Sequence, residues 1–576
     1  MRRGLRTRIR GIPPDDPGHS RSAELLRTPY RGAVNRHWWR LAPGGVVFGV
    51  VCTVLSLTPS LLPRPAFFQG AIGGVSFALG YLLGVLLTAL LLRVFMPAPS
   101  ARATRIVWWC VGGALAVAAV PLGFAVLSWQ NGVRAAVEMP PLDAVDPWRF
   151  LLGFGVTAAL LLVIGKGCRG LFLMIRARIS APLAVLATVA AVLAAAVGVG
   201  ALGMAAVDRI YAERNTAPPE DAQEPDSAFR SAGEGSGISW QDLGRHGSLF
   251  VGGGPAAAEI EKATGAPALE PIRVYAGLAS APDAASRAEL VVAELERTGA
   301  FEREWLVVAT TTGSGWLEPQ TVDAFEYLHG GDTAIASMQY AYTPSWVSFV
   351  FDPDAPVESA TALFDAVHAR WSELPESERP KLVAYGLSLG AHGTQAAFSG
   401  VDDLRARTDG ALLVGSPNGS EMWRGLQAAR DAGSPAWRPV LDGGRAVRWM
   451  SREGDERLID APWQDPRVLY LQHATDPVTW LGPELIWAPP EWLDAEQRAE
   501  DVSPAMRWMP GITAVQLVVD MFMGESVPAR HGHNYGDLVL TAWTSVTDDG
   551  GLDGAALARV QAILESYADP IDPAFE

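Results

Sequence analysis

The sequence predicts a chain of two parts: an N-terminal bundle of about five transmembrane helices, then an α/β domain whose mainly parallel sheet is covered by helices. Three observations support this prediction. Long uncharged apolar runs are concentrated in the first 210 of the 576 residues. Charge divides at the same place, since residues 1–207 hold 20 Arg and Lys against 6 Asp and Glu, whereas the remainder holds 26 against 56. Beyond that boundary, short β-type runs alternate with helix-type stretches.

The apolar runs have the length that a membrane-spanning helix needs, which is about 20 mostly apolar residues. They carry essentially no ionisable residue, unlike the relay and ion sites that transporters and channels place at membrane depth. The bundle is therefore expected to be an anchor whose partner is the lipid bilayer. Its five spans are predicted at residues 41–63, 65–92, 106–133, 150–165 with a continuation past Lys166, and 179–207.

Basic residues predict the orientation, because positively charged flanks stay cytoplasmic. Ten Arg precede the first span, and further Arg and Lys cluster at 93–105 and at 166–178. The intervening loops hold few basic residues or mix them with Asp and Glu. This alternation predicts a multi-pass protein of the cell membrane with a cytoplasmic N-terminus and an extracytoplasmic C-terminal domain.

Composition sets the predicted domain boundaries. Residues 1–40 form a basic cytoplasmic tail, 41–210 the transmembrane domain, 211–247 a flexible acidic linker rich in Pro, Glu, Asp, Ser and Gly, and 248–576 the large C-terminal domain. The acidic C-terminal domain would repel phosphate, which argues against nucleic-acid binding. All three cysteines lie in the transmembrane part, which excludes a Cys nucleophile or a Cys-based metal site in the C-terminal domain.

The C-terminal domain is assigned to the α/β class because continuous Val, Leu and Ala runs alternate with helical patterns, as in a parallel sheet covered on both faces. Residues 425–465 look less regular and are predicted to be an insertion near the site. Strands are predicted at 272–278, 304–312, 334–340, 381–387, 410–416 and 467–474, and helices at 286–298, 319–329, 355–373 and 391–399.

Ser388 is the candidate nucleophile. It lies in "KLVAYGLSLGAHG", residues 381–393, as the Ser of a Gly-x-Ser-x-Gly motif. By itself that motif is weak, but here a strand precedes it and a helix follows, with Gly386 and Gly390 keeping the turn uncrowded. These are the requirements of a nucleophile elbow, in which the Ser backbone is strained and the strand and helix approach closely.

A serine nucleophile needs a base that an acid orients, in the chain order Ser, acid, His on this type of fold. Asp476 is the preferred acid, because it lies just past the end of a predicted strand in a Pro-containing turn. Asp409 and Asp465 compete, but both precede their strands and belong at the opposite edge of the sheet. Of the histidines, only His531 and His533 follow Asp476.

The sequence favours His533 as the base, since it directly precedes Asn534, a good helix N-cap. His531 stays the alternative, as a substrate-side or supporting residue. No clear strand precedes this loop, because "ITAVQLVVDMFM" is as helical as it is extended. An oxyanion hole is predicted from the backbone N–H of Leu389 and from Thr312 and Gly313, whose loop "TTTGSGWLEP" follows an earlier strand.

Beyond these residues, the chain resembles a bacterial, mainly actinobacterial, family of multi-pass membrane proteins with a C-terminal α/β-hydrolase domain. The resemblance rests on "PIRVYAGLASAP", "TTTGSGWLEP", "MQYAYTPSWVSF", "GLSLGAHG", "HATDPVTW" and "GHNYGD". It implies serine-dependent hydrolysis or acyl transfer with no cofactor, and no metal is expected.

The sequence thus predicts a membrane-anchored serine hydrolase of the esterase or lipase type, with an acyl ester from the membrane or envelope as its substrate. Acyl transfer by the same triad and a non-catalytic envelope scaffold are the alternatives. The aromatic residues of 340–351 are expected either to bind the substrate or to belong to the core. Acyl chain length and oligomeric state are not predicted.

Overall fold

The computed structural model describes residues 41–94, 100–217, 219 and 222–567. The predicted cytoplasmic tail, 1–40, lies outside the described residues. Within them, four helices are long and apolar enough to cross a membrane, judged by length and composition. After a shorter helix α1 (Pro43–Ser56), these four are α2 (Ala66–Val94), α3 (Ala101–Ala136), α4 (Pro147–Arg176) and α5 (Ala181–Asn215).

Four of the about five predicted spans are therefore long apolar helices, whereas the segment 41–63 does not form one long helix. Its helix α1 has 14 residues, about 21 Å, whereas the hydrocarbon core is about 30 Å thick. Pro59, Pro63 and Pro65 follow, and proline cannot continue a helix. Residues 57–65, here named the docking segment, instead pack against the C-terminal domain.

Glycines let α1, α2 and α4 approach one another closely. Gly49 of α1 faces Phe77 of α2, and Gly153 of α4 faces the backbone of Phe67, so a Cβ atom at either glycine would clash. Small residues serve this purpose in membrane bundles, where close packing replaces the hydrophobic effect as the source of association. Since Gly44 lies beside Thr88, α1 runs antiparallel to α2.

Seven strands of the described residues form one parallel sheet in the order β1-β3-β2-β4-β5-β7-β6. The strands are buried almost along their whole length, as expected for a sheet with helices on both faces. The α/β fold class and the six predicted strands are confirmed. The strands are β1 (Ile272–Ala276), β2 (Trp305–Thr310), β3 (Thr333–Met338), β4 (Lys381–Leu387), β5 (Gly410–Val414), β6 (Val447–Met450) and β7 (Arg467–Leu471).

The strand β6 comes from the segment predicted to be an irregular insertion, and it pairs with β7 at the edge of the sheet. Its Arg448 is buried, with the guanidinium donating hydrogen bonds to the carbonyl oxygens of Gly444 (2.8 Å) and Glu456 (3.1 Å). β1 also contains an arginine, Arg273, but a longer apolar run follows it, whereas Arg448 leaves β6 with no uninterrupted apolar run of more than two residues.

Helices cover both faces of the sheet, and the four predicted helices are present with their ends shifted by at most three residues. The ambiguous segment before the His loop is a helix, α16, so no strand leads into that loop within the described residues. The helices are α6 (Gly244–Gly252), α7 (Ala257–Thr264), α8 (Ala284–Thr298), α9 (Pro319–Leu328), α10 (Ser345–Phe351), α11 (Ala355–Ser372), α12 (Leu389–Ala396), α13 (Val401–Arg407), α14 (Glu421–Ala428), α15 (Pro477–Trp480), α16 (Ile512–Met521), α17 (Val539–Thr547) and α18 (Gly554–Glu565).

The predicted flexible linker, 211–247, differs from expectation. Its first five residues complete α5, and Ile238, Trp240 and Leu243 are buried in the core of the C-terminal domain. The Glu294 carboxylate accepts a hydrogen bond from the Gly237 N–H at 2.8 Å. This part of the segment packs because it carries apolar residues among its acidic and glycine residues, and those apolar side chains are buried in the core.

The bundle and the C-terminal domain share one core. Leu61 and Leu62 of the docking segment are almost fully buried in the same cluster as the sheet. Val137 and Met139, which follow α3, belong to it as well. The anchor is therefore packed against the domain at two separate loops.

Candidate active site

Ser388 lies at the junction of β4 and α12 with strained backbone angles, φ 57° and ψ −121°. A positive φ is uncommon for a residue with a side chain and concentrates at functional sites. The Ser388 N–H donates to the Val414 carbonyl oxygen at 2.8 Å, which fixes the turn against β5. Ser388 thus occupies the geometry that the Gly-x-Ser-x-Gly motif predicts.

The two glycines of the motif are required by close contact. A Cβ atom at Gly386 would lie 2.5 Å from the carbonyl carbon of Gly390, and one at Gly390 would overlap the carbonyl oxygen of Thr310. The strand and the helix can therefore meet at Ser388 only with glycine on both sides.

Asp476 is fully buried at the end of β7, where it caps α15. Its Oδ1 accepts a hydrogen bond from the Val478 N–H at 2.8 Å. Its Oδ2 accepts one from His533 Nδ1–H at 2.8 Å and one from the Tyr535 hydroxyl at 2.7 Å. Asp409, the rival acid, instead accepts from the N–H of Leu382 near the start of β4, away from Ser388.

The His533 ring is oriented by this carboxylate. Burial alone lowers the pKa of His533, but the charge of Asp476 and its hydrogen bond outweigh burial, so the pKa is raised above its ordinary value. The other ring nitrogen, Nε2, is buried without a hydrogen-bond partner among the described residues. His533 and Ser388 line the same cavity.

The structure separates the two candidate histidines. His531 Nδ1 lies 3.8 Å from Asp501 Oδ2, and His531 does not line the cavity that holds Ser388. Of the two neighbours, His533 alone contacts Asp476 in the described structure. His533 as the base therefore stays a prediction, now supported by its contact with Asp476.

The three residues predicted for the oxyanion hole are placed differently from one another. The Thr312 N–H donates to the Trp316 carbonyl oxygen at 3.0 Å, and the Gly313 N–H to Ser345 Oγ at 3.1 Å. Both backbone donors are therefore already engaged, that of Thr312 within its own loop and that of Gly313 by the first residue of α10. Leu389 begins α12, where an N–H has no intrahelical acceptor, and it lines the cavity together with Thr312. Thr312 can offer its hydroxyl to this cavity in place of its N–H.

The cavity has a volume of about 450 Å³ and a largely apolar lining. Trp346 and Phe349 of α10 contribute to it, so part of the aromatic segment 340–351 faces the cavity, while Tyr340 is buried. Met521 and Phe522 line it from the end of α16. A cavity of this size and character suits an apolar group beside a few polar ones.

Two further residues act on the site and were missed from the sequence: Tyr535 by a hydrogen bond to Asp476, and Glu318, which does not line the cavity, through the effect of its charge on His533. Tyr535 donates to Asp476 and stacks on His473 with ring centroids 4.1 Å apart. Its only sequence signal is its position two residues after His533. Glu318 is buried, and burial raises its pKa to about 7, while the Thr321 hydroxyl donates to it at 2.5 Å.

Within the described residues, no group of three or more His, Cys, Asp or Glu side chains is arranged to hold a metal ion. The parallel sheet, the strained serine between strand and helix, and the acid after a later strand together define an α/β-hydrolase fold.

Comparison with protein families agrees with this class. A model described as an alpha/beta-hydrolase family matches residues 272–560, half of the chain, and a model of the family's N-terminus matches residues 57–255. The chain belongs to this alpha/beta-hydrolase family. The N-terminal match begins at the first residue of the docking segment and includes α2 to α5. No curated protein and no solved structure matches the chain.

Proposed function

We propose that the protein is a membrane-anchored serine hydrolase that cleaves an acyl ester drawn from membrane or envelope lipids. One observation supports this most directly: Ser388, on its strained turn, lines the same cavity as His533, whose Nδ1 lies 2.8 Å from Asp476. Nucleophile, base and orienting acid in that arrangement are what acyl-ester cleavage requires.

In the proposed reaction, the Ser388 hydroxyl oxygen attacks the ester carbonyl carbon while His533 Nε2 takes the hydroxyl proton. The negative oxygen of the tetrahedral intermediate accepts hydrogen bonds from the Leu389 N–H and the Thr312 hydroxyl. When the intermediate collapses, His533 returns the proton to the departing alcohol and an acyl-serine remains. Water, deprotonated by the same histidine, then releases the carboxylic acid.

We also propose that this reaction takes place outside the cytoplasm at the cell membrane. The basic clusters at 93–105 and 166–178 lie at the ends of α2 and α4 that point away from the docking segment. If positive flanks stay cytoplasmic, the C-terminal domain lies on the other side. A reporter that functions only outside the cytoplasm should be active when it is fused after residue 576.

Labelling with a fluorophosphonate tests the nucleophile. The full-length protein in detergent should be labelled, Ser388→Ala should not, and Ser399→Ala, an exposed serine just past α12, should be labelled like the wild type. A panel of fluorogenic acyl esters then tests the reaction, and an added acceptor alcohol reports any acyl transfer. Equal labelling of wild type and Ser388→Ala would exclude the proposal.

A further inference from the structure

Large apolar side chains are exposed on the two helices that line the cavity with aromatic residues, α10 and α16, and on the residue after α16. The exposed fractions are 45% for Trp346, 55% for Phe351, 45% for Val518 and 51% for Phe522. Together with Phe349, these residues are here named the apolar rim. Trp346, Phe349 and Phe522 also line the cavity. Exposed large apolar side chains concentrated beside a cavity mark an interaction site.

One half of the apolar rim is attached to the docking segment. Asp520 of α16 pairs with Arg64, whose Nε lies 3.4 Å from Asp520 Oδ1, and both side chains are fully buried. Asp520 Oδ2 also accepts a hydrogen bond from the Leu61 N–H at 3.1 Å. Arg64 stands two residues before the first residue of α2. Helix α16, which carries Val518, is therefore fixed at the level where α2 enters the membrane.

The other half is attached to the end of α5. The Tyr342 hydroxyl donates to Asp208 Oδ1 at 2.6 Å, and Gln339 Nε2 donates to Asn215 Oδ1 at 3.0 Å. Asp208 is the first charged residue after the apolar run of α5, so it marks the position where that helix leaves the hydrocarbon. Helix α10, which carries Trp346, begins three residues after Tyr342.

The two halves meet across the mouth of the cavity. The Trp346 and Phe522 rings are in edge contact, with centroids 5.7 Å apart and planes at 72°. Each ring lies within a few residues of a group bonded to the water-side end of a membrane-spanning helix. Both attachments fall at the boundary between bilayer and water, so the apolar rim between them lies at that boundary too.

We propose that the apolar rim inserts into the adjacent lipid leaflet, so that the cavity receives a long-chain acyl ester from the bilayer and not from water. The occupant of the rim is the acyl-chain region of the membrane lipids. Aromatic side chains are favoured at this depth, and burying apolar area in the leaflet stabilises the contact. The entry route rests on the proposed ester hydrolysis, whereas the insertion of the rim does not.

A fluorophore at the rim tests the insertion independently of catalysis. In full-length protein with Cys52, Cys110 and Cys168 replaced by Ser, an environment-sensitive dye is placed by Phe351→Cys or by Val518→Cys. In lipid nanodiscs both attached dyes should emit at shorter wavelength than the free dye in water. Lipids with a nitroxide on the acyl chain should quench both. Leu458→Cys, 63% exposed on the segment before β7, is the matched control and should show neither effect. Rim dyes that behave like the control would overturn the insertion.

Charge on the rim tests the entry route. For Phe351→Asp and Val518→Asp, which do not line the cavity, we expect about a tenfold lower rate on a long-chain ester held in vesicles, because a carboxylate resists insertion. The rate on a short water-soluble ester should stay within about twofold. The entry route would be overturned if the hydrolysis rate fell on neither substrate, or fell equally on both while fluorophosphonate labelling stayed intact. If labelling is lost, the dye experiment decides. An inactive wild type with inserted rim dyes would instead refute the proposed function alone.

Discussion

Two buried aspartates, Asp476 and Asp520, resemble each other in environment and differ in their partners. Both are fully buried, and each accepts a backbone N–H on one oxygen. Asp476 faces the imidazole of His533, which gains and loses a proton near neutral pH. Asp520 faces the guanidinium of Arg64, which stays charged. A buried carboxylate therefore faces a titratable partner in one place and a permanently charged partner in the other.

The two aspartates also differ in how well they are hydrogen-bonded to their charged or titratable partners. The Asp476–His533 contact is a hydrogen bond of 2.8 Å, supported by Tyr535. In the Arg64–Asp520 pair, the three guanidinium nitrogens and Asp520 Oδ1 have no hydrogen-bond partner among the described residues. Burial raises the pKa of Asp520 although Arg64 opposes this. Charge without good hydrogen bonds contributes little net stability, yet removing one partner leaves the other buried and unpaired.

The largest effect is expected from Asp476→Asn. The amide would favour the wrong tautomer of His533 and could not stabilise the imidazolium, so kcat/KM on an activated ester should fall about 10³- to 10⁴-fold. Thermal unfolding of the same sample should change little by comparison. A loss below about tenfold would mean that Asp476 does not orient the base, and the contrast with Asp520 would disappear.

Asp520→Ala should act on stability. With Arg64 buried and unpaired, the free energy of unfolding should fall by about 3–5 kcal/mol, measured by denaturant titration of detergent-solubilised protein. The matched control is Arg64→Leu with Asp520→Leu, which removes both charges and should recover most of the loss. If the double variant is as unstable as Asp520→Ala, the cost comes from lost packing and not from the unpaired charge.

The pH dependence of kcat/KM is the next way to distinguish the Asp476–His533 pair from the Arg64–Asp520 pair. His533 must be neutral to accept the serine proton, and its raised pKa means that kcat/KM should rise about tenfold per pH unit up to a midpoint above about 6.5. A raised folded-state pKa also contributes stability below the unfolded-state pKa that is lost as pH rises through the folded value. Activity should therefore increase over the window in which this contribution to stability declines. A midpoint below 6 would contradict the raised pKa.

The smallest effect is expected from His531→Ala. Because His531 faces Asp501 and not Asp476, kcat/KM should remain within about threefold of wild type, while His533→Ala should abolish most activity. Reversed effects in a side-by-side ester assay would exchange the two assignments.

Local patterns explain why much of the fold could be predicted. Six strands could be recognised as apolar runs. The turn at Ser388 could be recognised because it needs glycine at 386 and 390 for contacts within a few residues. Strand β6 was missed because it is four residues long and Arg448 divides its apolar residues into runs of at most two. The neighbours His531 and His533 share one local sequence, so only their three-dimensional partners distinguish them.

Non-local contacts explain what the sequence could not predict. A continuous apolar run predicts a membrane-spanning helix even where the chain is not helical throughout. The end of α1 at Ser56 and the packing of Leu61 and Leu62 against the C-terminal domain were therefore not expected. Their partner Asp520 lies at the far end of the chain. The Gly313 N–H suited an oxyanion hole by sequence, but a tertiary contact with Ser345 already engages it, and the Thr312 N–H is engaged by Trp316 of its own loop.

The docking segment also sets an order of events during synthesis. Leu61 and Asp520 are 459 residues apart, whereas Asp476 and His533 are separated by 57. Arg64 is synthesised early, whereas its partner Asp520 is synthesised only when nearly the whole chain has been made. Closing so long a loop is slow compared with local folding. The anchor must therefore hold an unpaired arginine and two exposed leucines at the membrane surface until α16 arrives, and completion of the anchor coincides with completion of the cavity beside it.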